Sequence, residues 1–179
     1  KLGVNMHVIT TSIASIKNIT ACVNRCHLDV DSQIVGSYAS GLACLVEDEK
    51  ELGVVCLDIG GGTTDMAVFY DGELVYTDAI PLGGTHVTND IARGLSTTLS
   101  FAERMKTLYG SAIPSPSDDQ EVIKVPLVGE KDDGENHISR SILVGIIRPR
   151  MEEIYELVRT KLNHSGFGGD EARRVVLTG

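Results

Sequence analysis

A mixed α/β fold is what the sequence predicts, and three observations carry it. The stretch Val54-Val55-Cys56-Leu57-Asp58-Ile59-Gly60-Gly61-Gly62-Thr63-Thr64-Asp65-Met66-Ala67-Val68 reads as strand, glycine turn, strand, with β-branched and apolar residues on either side of the glycines. Three other stretches carry apolar residues at helical spacing: 12–25, 100–109 and 138–162. The chain then closes on Arg174-Val175-Val176-Leu177, a short apolar run that predicts a last strand.

The elements follow in order. Residues 6–10 predict a short strand, and Ser12 or a neighbouring hydroxyl caps a helix running to Arg25, with Ile13, Ile16, Ile19 and Val23 on one face. Residues 33–36 predict a second strand and 38–45 a helix of small side chains suited to close packing or a hinge. Glu47-Asp48-Glu49-Lys50 reads as a solvated turn. Beyond the glycines, Asp71-Gly72 joins two apolar runs as a hairpin. Gly83-Gly84 leads into a helix opened by Thr85, with Val87, Ile91 and Leu95 inward. Ser100-Phe101-Ala102-Glu103 has the spacing of a capping box, which gives Glu103 a structural task, and the helix stops at Gly110. Residues 111–136, with Pro114, Pro116 and Pro126 and the polar run Glu130-Lys131-Asp132-Asp133-Gly134-Glu135, predict a loop-rich lobe with one strand over 121–128. In 138–162, Pro149 marks a new first turn or a kink, and Met151, Ile154, Tyr155 and Val158 form a buried stripe.

Bulk properties narrow the function. The 179 residues suffice for one domain or two small ones, and 42% hydrophobic content suits a globular protein. A net charge of −9 argues against nonspecific binding to nucleic acid. Cys22, Cys26, Cys44 and Cys56 lie in apolar surroundings without a CxxC pair and read as buried thiols of a reducing compartment. There is no signal peptide and no apolar run of transmembrane length. A start at Lys1 and a stop inside an apolar strand read as cuts in a longer protein.

Chemistry concentrates at Gly60-Gly61-Gly62. Consecutive glycines between strands can aim several N–H groups into one space, which suits an anion such as phosphate. Asp58 and Asp65 bracket the turn, and a carboxylate there can hold Mg2+ through water or orient an attacking water. A plain hairpin turn capped by the two aspartates is the alternative. A P-loop is excluded, because no Gly-Lys-Ser/Thr follows and the next element is a strand. Gly83-Gly84 before a helix offers further N–H donors or only a turn. Arg140, Arg148 and Arg150 are a basic group in an acidic chain, a solvated face or a counter-charge for an acidic peptide.

Four of these stretches together resemble the actin-like ATPase superfamily, and within it the FtsA family of bacterial cell-division proteins. Leu57 to Asp65 resembles the second phosphate motif, and 38–45 the first hinge helix. Ala102-Glu103-Arg104-Met105-Lys106 resembles the helix that reaches the nucleoside, and Val175-Val176-Leu177-Thr178-Gly179 the start of the adenosine motif. Glu49-Lys50-Glu51-Leu52-Gly53, Thr88-Asn89-Asp90-Ile91-Ala92 and Ile147-Arg148-Pro149-Arg150 favour the FtsA family.

The resemblance implies a ribonuclease-H-like second domain with a small inserted α+β subdomain. Its divisions fall at 1–43 (end of the first domain and hinge helix), 44–92 (second-domain core), 93–150 (inserted, partner-binding subdomain) and 151–179 (return to the core). It implies ATP and Mg2+ as ligands. Gly60, Gly61, Gly62 and Thr63, with Thr64 and Gly84, would bind the phosphates, Asp58 would serve catalysis and Mg2+ through water, Glu103 and Lys106 would border the ribose or adenine, and Gly179 would begin the adenosine loop. The implied role is a scaffold, at most a slow ATPase, that binds the C-terminal tail of FtsZ through Arg140, Arg148 and Arg150 and self-associates into filaments with other division proteins. Its implied place is the cytoplasmic face of the membrane at the division site, reached through a C-terminal helix that is not in this sequence. A sugar- or acetate-type kinase and a chaperone ATPase of the same superfamily are the alternatives.

Overall fold

The computed structural model describes residues 2–4, 6–126, 136–169 and 173–179. They form two compact units, each gathered from separated parts of the chain: 1–58, 65–78 and 165–178 in the first, and 59–64, 79–164 and 179 in the second.

The first unit holds most of a four-stranded sheet of order β3-β2-β1-β6, from β1 (Val54–Ile59), β2 (Thr64–Tyr70), β3 (Glu73–Ile80) and β6 (Val175–Thr178), of which Ile59, Thr64, Ala79 and Ile80 count with the second. Val54, Val55, Cys56 and Leu57 are all buried, as befits an interior strand covered on both faces. β6 lies parallel to β1, pairing Val55 with Val175 and Asp58 with Thr178. β2 and β3 meet through Asp71-Gly72, where both residues take positive φ, 55° and 78°. That is the geometry the Asp-Gly pair predicts for a hairpin.

Three helices accompany the sheet: α1 (Ile13–Arg25), α2 (Gly36–Cys44) and α3 (Glu47–Leu52). α2 packs by its small residues. A Cβ on Gly41 would lie 2.3 Å from the Phe69 ring, which also stacks on Tyr38 with centroids 6.0 Å apart. Leu45, Val54, Cys56, Ala67 and Phe69 form this unit's core cluster.

Several sequence expectations are corrected here. Residues 6–10 and 33–36 form no strand, because extended propensity needs a neighbouring strand to pair with and neither finds one among the described residues. The predicted apolar face of α1 is not buried, with Ile13 and Ile19 exposed. The acidic run 47–50 is helix rather than turn. Glu47, Asp48 and Glu49 complement the helix dipole, Val46 N–H donates to Glu49 Oε2 at 3.1 Å, and Gly53 at φ 102° ends the helix. Of the four cysteines only Cys56 is buried; Cys22, Cys26 and Cys44 are exposed.

The second unit contains α4 (Gly84–Gly94), α5 (Leu99–Tyr109), the antiparallel pair β4 (Val122–Val125) and β5 (Asn136–Ser139), and α6 (Arg140–Ser165), whose last residue falls in the first unit. Its core joins Val87 and Ile91 of α4 and Leu95 just after it to Ala102 and Met105 of α5, Ile123 and Val125 of β4, and Leu143 and Ile147 of α6. The inward face predicted for α4 is the one observed. α6 begins two residues later than the periodicity predicts, since 136–139 pair with β4, and Pro149 lies within the continuous helix. Ile154 and Val158 of the predicted stripe are buried, whereas Tyr155 is exposed. The polar run 130–135 and the end of the strand predicted over 121–128 lie outside the described residues.

The start of α5 is also reassigned. Thr98, not Ser100, is the N-cap, its Oγ1 accepting from Phe101 N–H at 3.3 Å. Two hydroxyls two residues apart compete for the cap, and the earlier one takes it. Glu103 is thereby released from the predicted capping box.

Candidate functional site: a glycine turn seated on a helix start

The glycine turn lies in the second unit and is fixed from one side by α4. Gly84 N–H donates to Gly60 O at 2.9 Å and Thr85 N–H to Gly61 O at 2.8 Å. Two of the N–H groups a helix start leaves without intrahelical partners are thus satisfied by the turn itself. Gly60 N–H closes the turn on Thr63 O at 2.9 Å. Gly83 has no room for a side chain, because a Cβ would sit 2.4 Å from Gly60 O and 2.8 Å from Gly61 O.

The planar trans peptide turns this seating into a statement about the opposite side. Gly60 C=O shares a plane with Gly61 N–H and points against it, as Gly61 C=O does with Gly62 N–H. With both carbonyls held by α4, the two N–H groups are aimed away from it, and both residues are exposed. Neither N–H has a protein acceptor among the described residues. Adjacent exposed amides of this kind are donors that an anion can accept from.

The other residues singled out in the sequence have distinct surroundings. Thr64 is fully buried and its hydroxyl donates to Leu82 O at 2.8 Å, which places it beneath the turn as support. The Gly84 N–H is spent on Gly60 O, and Gly84 O receives Lys106 Nζ at 3.1 Å. Gly179, at φ 129°, packs on Ile59 so closely that a Cβ would be 2.4 Å from Ile59 O. In the first unit, Asp58 accepts Ser40 Oγ on Oδ2 at 2.6 Å and is half-buried.

Glu103 and Lys106, one helical turn apart on α5, form an ion pair at 2.8 Å. The Glu103 carboxyl is held below the usual carboxylate range by its hydrogen bond to Lys106 first and by the Thr88 hydroxyl second. Thr88, on α4 and buried, stands in the sequence only as part of the stretch Thr88 to Ala92, with no site role of its own. A threonine inside an amphipathic helix carries no pattern that separates it from any other half-polar position.

The three arginines differ. Arg140 Nε donates to Tyr109 O at 2.9 Å, and its Nη1 lies 3.1 Å from Glu121 and 3.2 Å from the buried Asp118. Arg150 binds Asp90 through two nitrogens, at 2.6 and 3.2 Å, and also pairs with Glu153. Among the described residues Arg148 pairs only with Glu152, at 2.7 Å, and both side chains are more than half exposed. A groove of about 300 Å³ lies between α5 and β4, with Phe101, Met105, Leu108 and Ile123 supplying apolar surface and Arg104 and Lys124 supplying charge. No helix among the described residues is long and apolar enough to cross a membrane.

These features have close relatives. The chain is 50% identical over 179 residues to the cell division protein FtsA of Rhizobium meliloti, covering 99% of this chain and 40% of that protein. It therefore spans about two-fifths of the relative's length. MreB5 of Spiroplasma citri, solved bound to ADP, superposes with a TM-score of 0.75 at 20% identity over 93% of this chain and 54% of that one. The same protein bound to AMPPNP gives 0.72. The fold is thus that of the actin-like ATPases. The sequence profile described as "Cell division protein FtsA" matches residues 55–175, well over half of the chain, and the chain belongs to the FtsA family of cell division proteins.

Proposed function

We propose that this chain carries the phosphate and nucleoside contacts of an ATP-binding scaffold of cell division. The outward amides of Gly61 and Gly62 are the observation that carries the reading, with Thr63 completing the turn. Gly60 and Gly84 give it shape, Thr64 supports it from below, and Gly179 opens the nucleoside side. MreB5, which shares this fold and was solved with ADP and with AMPPNP, supports a nucleotide as the anion.

Mg2+ fits the residues present in one mode only. It is held in nucleotide sites by one or two carboxylates, retained waters and the phosphates. Asp58 offers one carboxylate, with Oδ2 already fixed by Ser40. No group of three or more His, Cys, Asp or Glu side chains suited to a metal is found among the described residues. Asp58 therefore suits Mg2+ held through water, and the ion would offset phosphate charge.

The partner reading extends this scaffold. The C-terminal tail of FtsZ would dock on the second unit, with Arg148 as the most available of the three arginines and the α5–β4 groove receiving apolar residues. Self-association into filaments at the cytoplasmic face of the membrane completes the proposed role.

Gly62→Asp in the full-length protein tests the nucleotide reading. A Cβ there meets nothing within 4 Å, so the fold should hold while a carboxylate is placed beside the amides. ATP binding, measured by calorimetry, is expected to weaken at least about tenfold with an unchanged melting temperature. Unchanged affinity would remove the turn from the site.

A further inference from the structure

Every backbone N–H at the start of α4 has an acceptor. Gly84 and Thr85 donate to the carbonyls of Gly60 and Gly61, and His86 N–H turns back to Gly83 O at 3.0 Å. The remaining one, on Gly83, donates to His86 Nδ1 at 3.1 Å. Gly83 is buried, so its amide has no water to fall back on. His86 thus occupies the place of the glutamate or glutamine of a capping box, reaching back from the third helical residue to the cap.

A histidine there holds the cap in one protonation state only. A backbone N–H can only donate, so Nδ1 is a bare acceptor and the proton of the neutral ring sits on Nε2. The imidazolium has a proton on both nitrogens, which would set Nδ1–H against Gly83 N–H, donor against donor. It would also put a positive charge in the first turn of α4, at the positive end of the helix dipole. The two effects have the same sign.

The charges around His86 are already paired. Asp90, four residues on and on the same face, has both carboxylate oxygens on Arg150 of α6, which also pairs with Glu153. On α5, Glu103 and Lys106 pair with each other and face Thr88. The glycine turn over 59–64 and the segment 79–83 carry no charged side chain.

We infer that His86 is a positioning residue that clamps the seat of the glycine turn while its ring is neutral and releases it on taking up a proton. Gly83 is the point of contact, since its Cα hydrogens lie directly against the carbonyls of Gly60 and Gly61, where no Cβ fits. Histidine is the side chain that ordinarily changes charge between about pH 5 and 8, so the seat responds to mild acid. The clamp acts whichever anion fills the turn.

Hydrogen exchange at Gly83 N–H in the full-length protein, at pH 8 and at about pH 5.5, tests this with His86→Asn and His86→Ala. Rates are divided by the intrinsic amide rate at each pH. In the unsubstituted protein the protection of Gly83 should fall about tenfold on acidification, the worth of a buried donor losing its acceptor. Asparagine places its amide oxygen as many bonds from Cα as His86 Nδ1 and does not titrate, so His86→Asn should keep protection to within about threefold. His86→Ala should show the low protection at both pH values. An acid-induced fall that persists in His86→Asn overturns the inference, as does unchanged protection in the unsubstituted protein. Nitrogen NMR of the histidine-labelled protein decides even where His86→Ala fails to fold: the Nε2–H tautomer is expected for His86 at pH 8, and the Nδ1–H tautomer would overturn the clamp. ATP binding enters none of these readouts, so their failure leaves the nucleotide reading standing.

Discussion

At the scale of single residues, environment decides what a side chain can do. Cys56 is 1% exposed, and burial, with Cys44 and Asp58 nearby, raises its thiol pKa to about 11. The nucleophile is the thiolate, so Cys56 should resist iodoacetamide at pH 8 while the exposed Cys44 is alkylated, as peptide mass mapping would show. The sign follows from the raised value. The folded state holds this proton more tightly than the unfolded chain, so its stabilising contribution is complete below the ordinary thiol value of 9.0 and is lost as pH rises towards 11. Equal modification of Cys56 and Cys44 at pH 8 would contradict the buried placement. A related lesson concerns Glu103. Sequence spacing offered it a local capping task, and only the placement of Thr98 and the three-dimensional neighbour Thr88 gave it a different one. Short-range patterns cannot report which of two adjacent hydroxyls caps a helix, nor what a second helix brings opposite.

At the scale of elements, the strand-turn-strand around the glycines and the Asp71-Gly72 hairpin were legible because their signals are local. Glycine count, alternation and a turn pair suffice. The inward face of α4 was legible for the same reason, and on α6 two residues of the expected stripe, Ile154 and Val158, are buried. The strands expected over 6–10 and 33–36 were not, since a strand exists only with its partner. Nor was α3, where charge read as solvation is also dipole complementarity. The junction of turn and α4 was half legible: Gly83-Gly84 announced a helix start with amides on offer, yet those amides go to the turn. Gly83 takes an extended conformation open to any residue, so its requirement is space alone. Gly83→Ala should therefore cost about 1–3 kcal/mol in chemical denaturation, as overpacking against immobile backbone does. A neutral outcome would mean that the seating of the turn is looser than 2.4 Å implies.

At the scale of the whole molecule, the second unit carries the glycine turn, the Glu103–Lys106 pair and the surface proposed for a partner. Arg148 has least to lose there. Its ion pair with Glu152 is exposed and of little worth to stability, whereas Arg140 and Arg150 hold Glu121, Asp118 and Asp90. Arg148→Glu in the full-length protein should weaken binding of an FtsZ tail peptide several-fold at low salt, with a smaller effect at physiological salt and no change in melting temperature. Undiminished binding would move the partner surface elsewhere. The basic group was visible in the sequence as three charges, but which of them is available depends on acids brought from distant parts of the chain.

The two peptides that seat the turn on α4 have a consequence of their own. Each is a single polarisable unit with an acceptor on the helix side and a donor on the other. Negative charge resting on the donors pushes electron density onto the carbonyl oxygens and tightens their grip on Gly84 and Thr85. An anion on those donors would therefore be felt at the first turn of α4, through two amide planes.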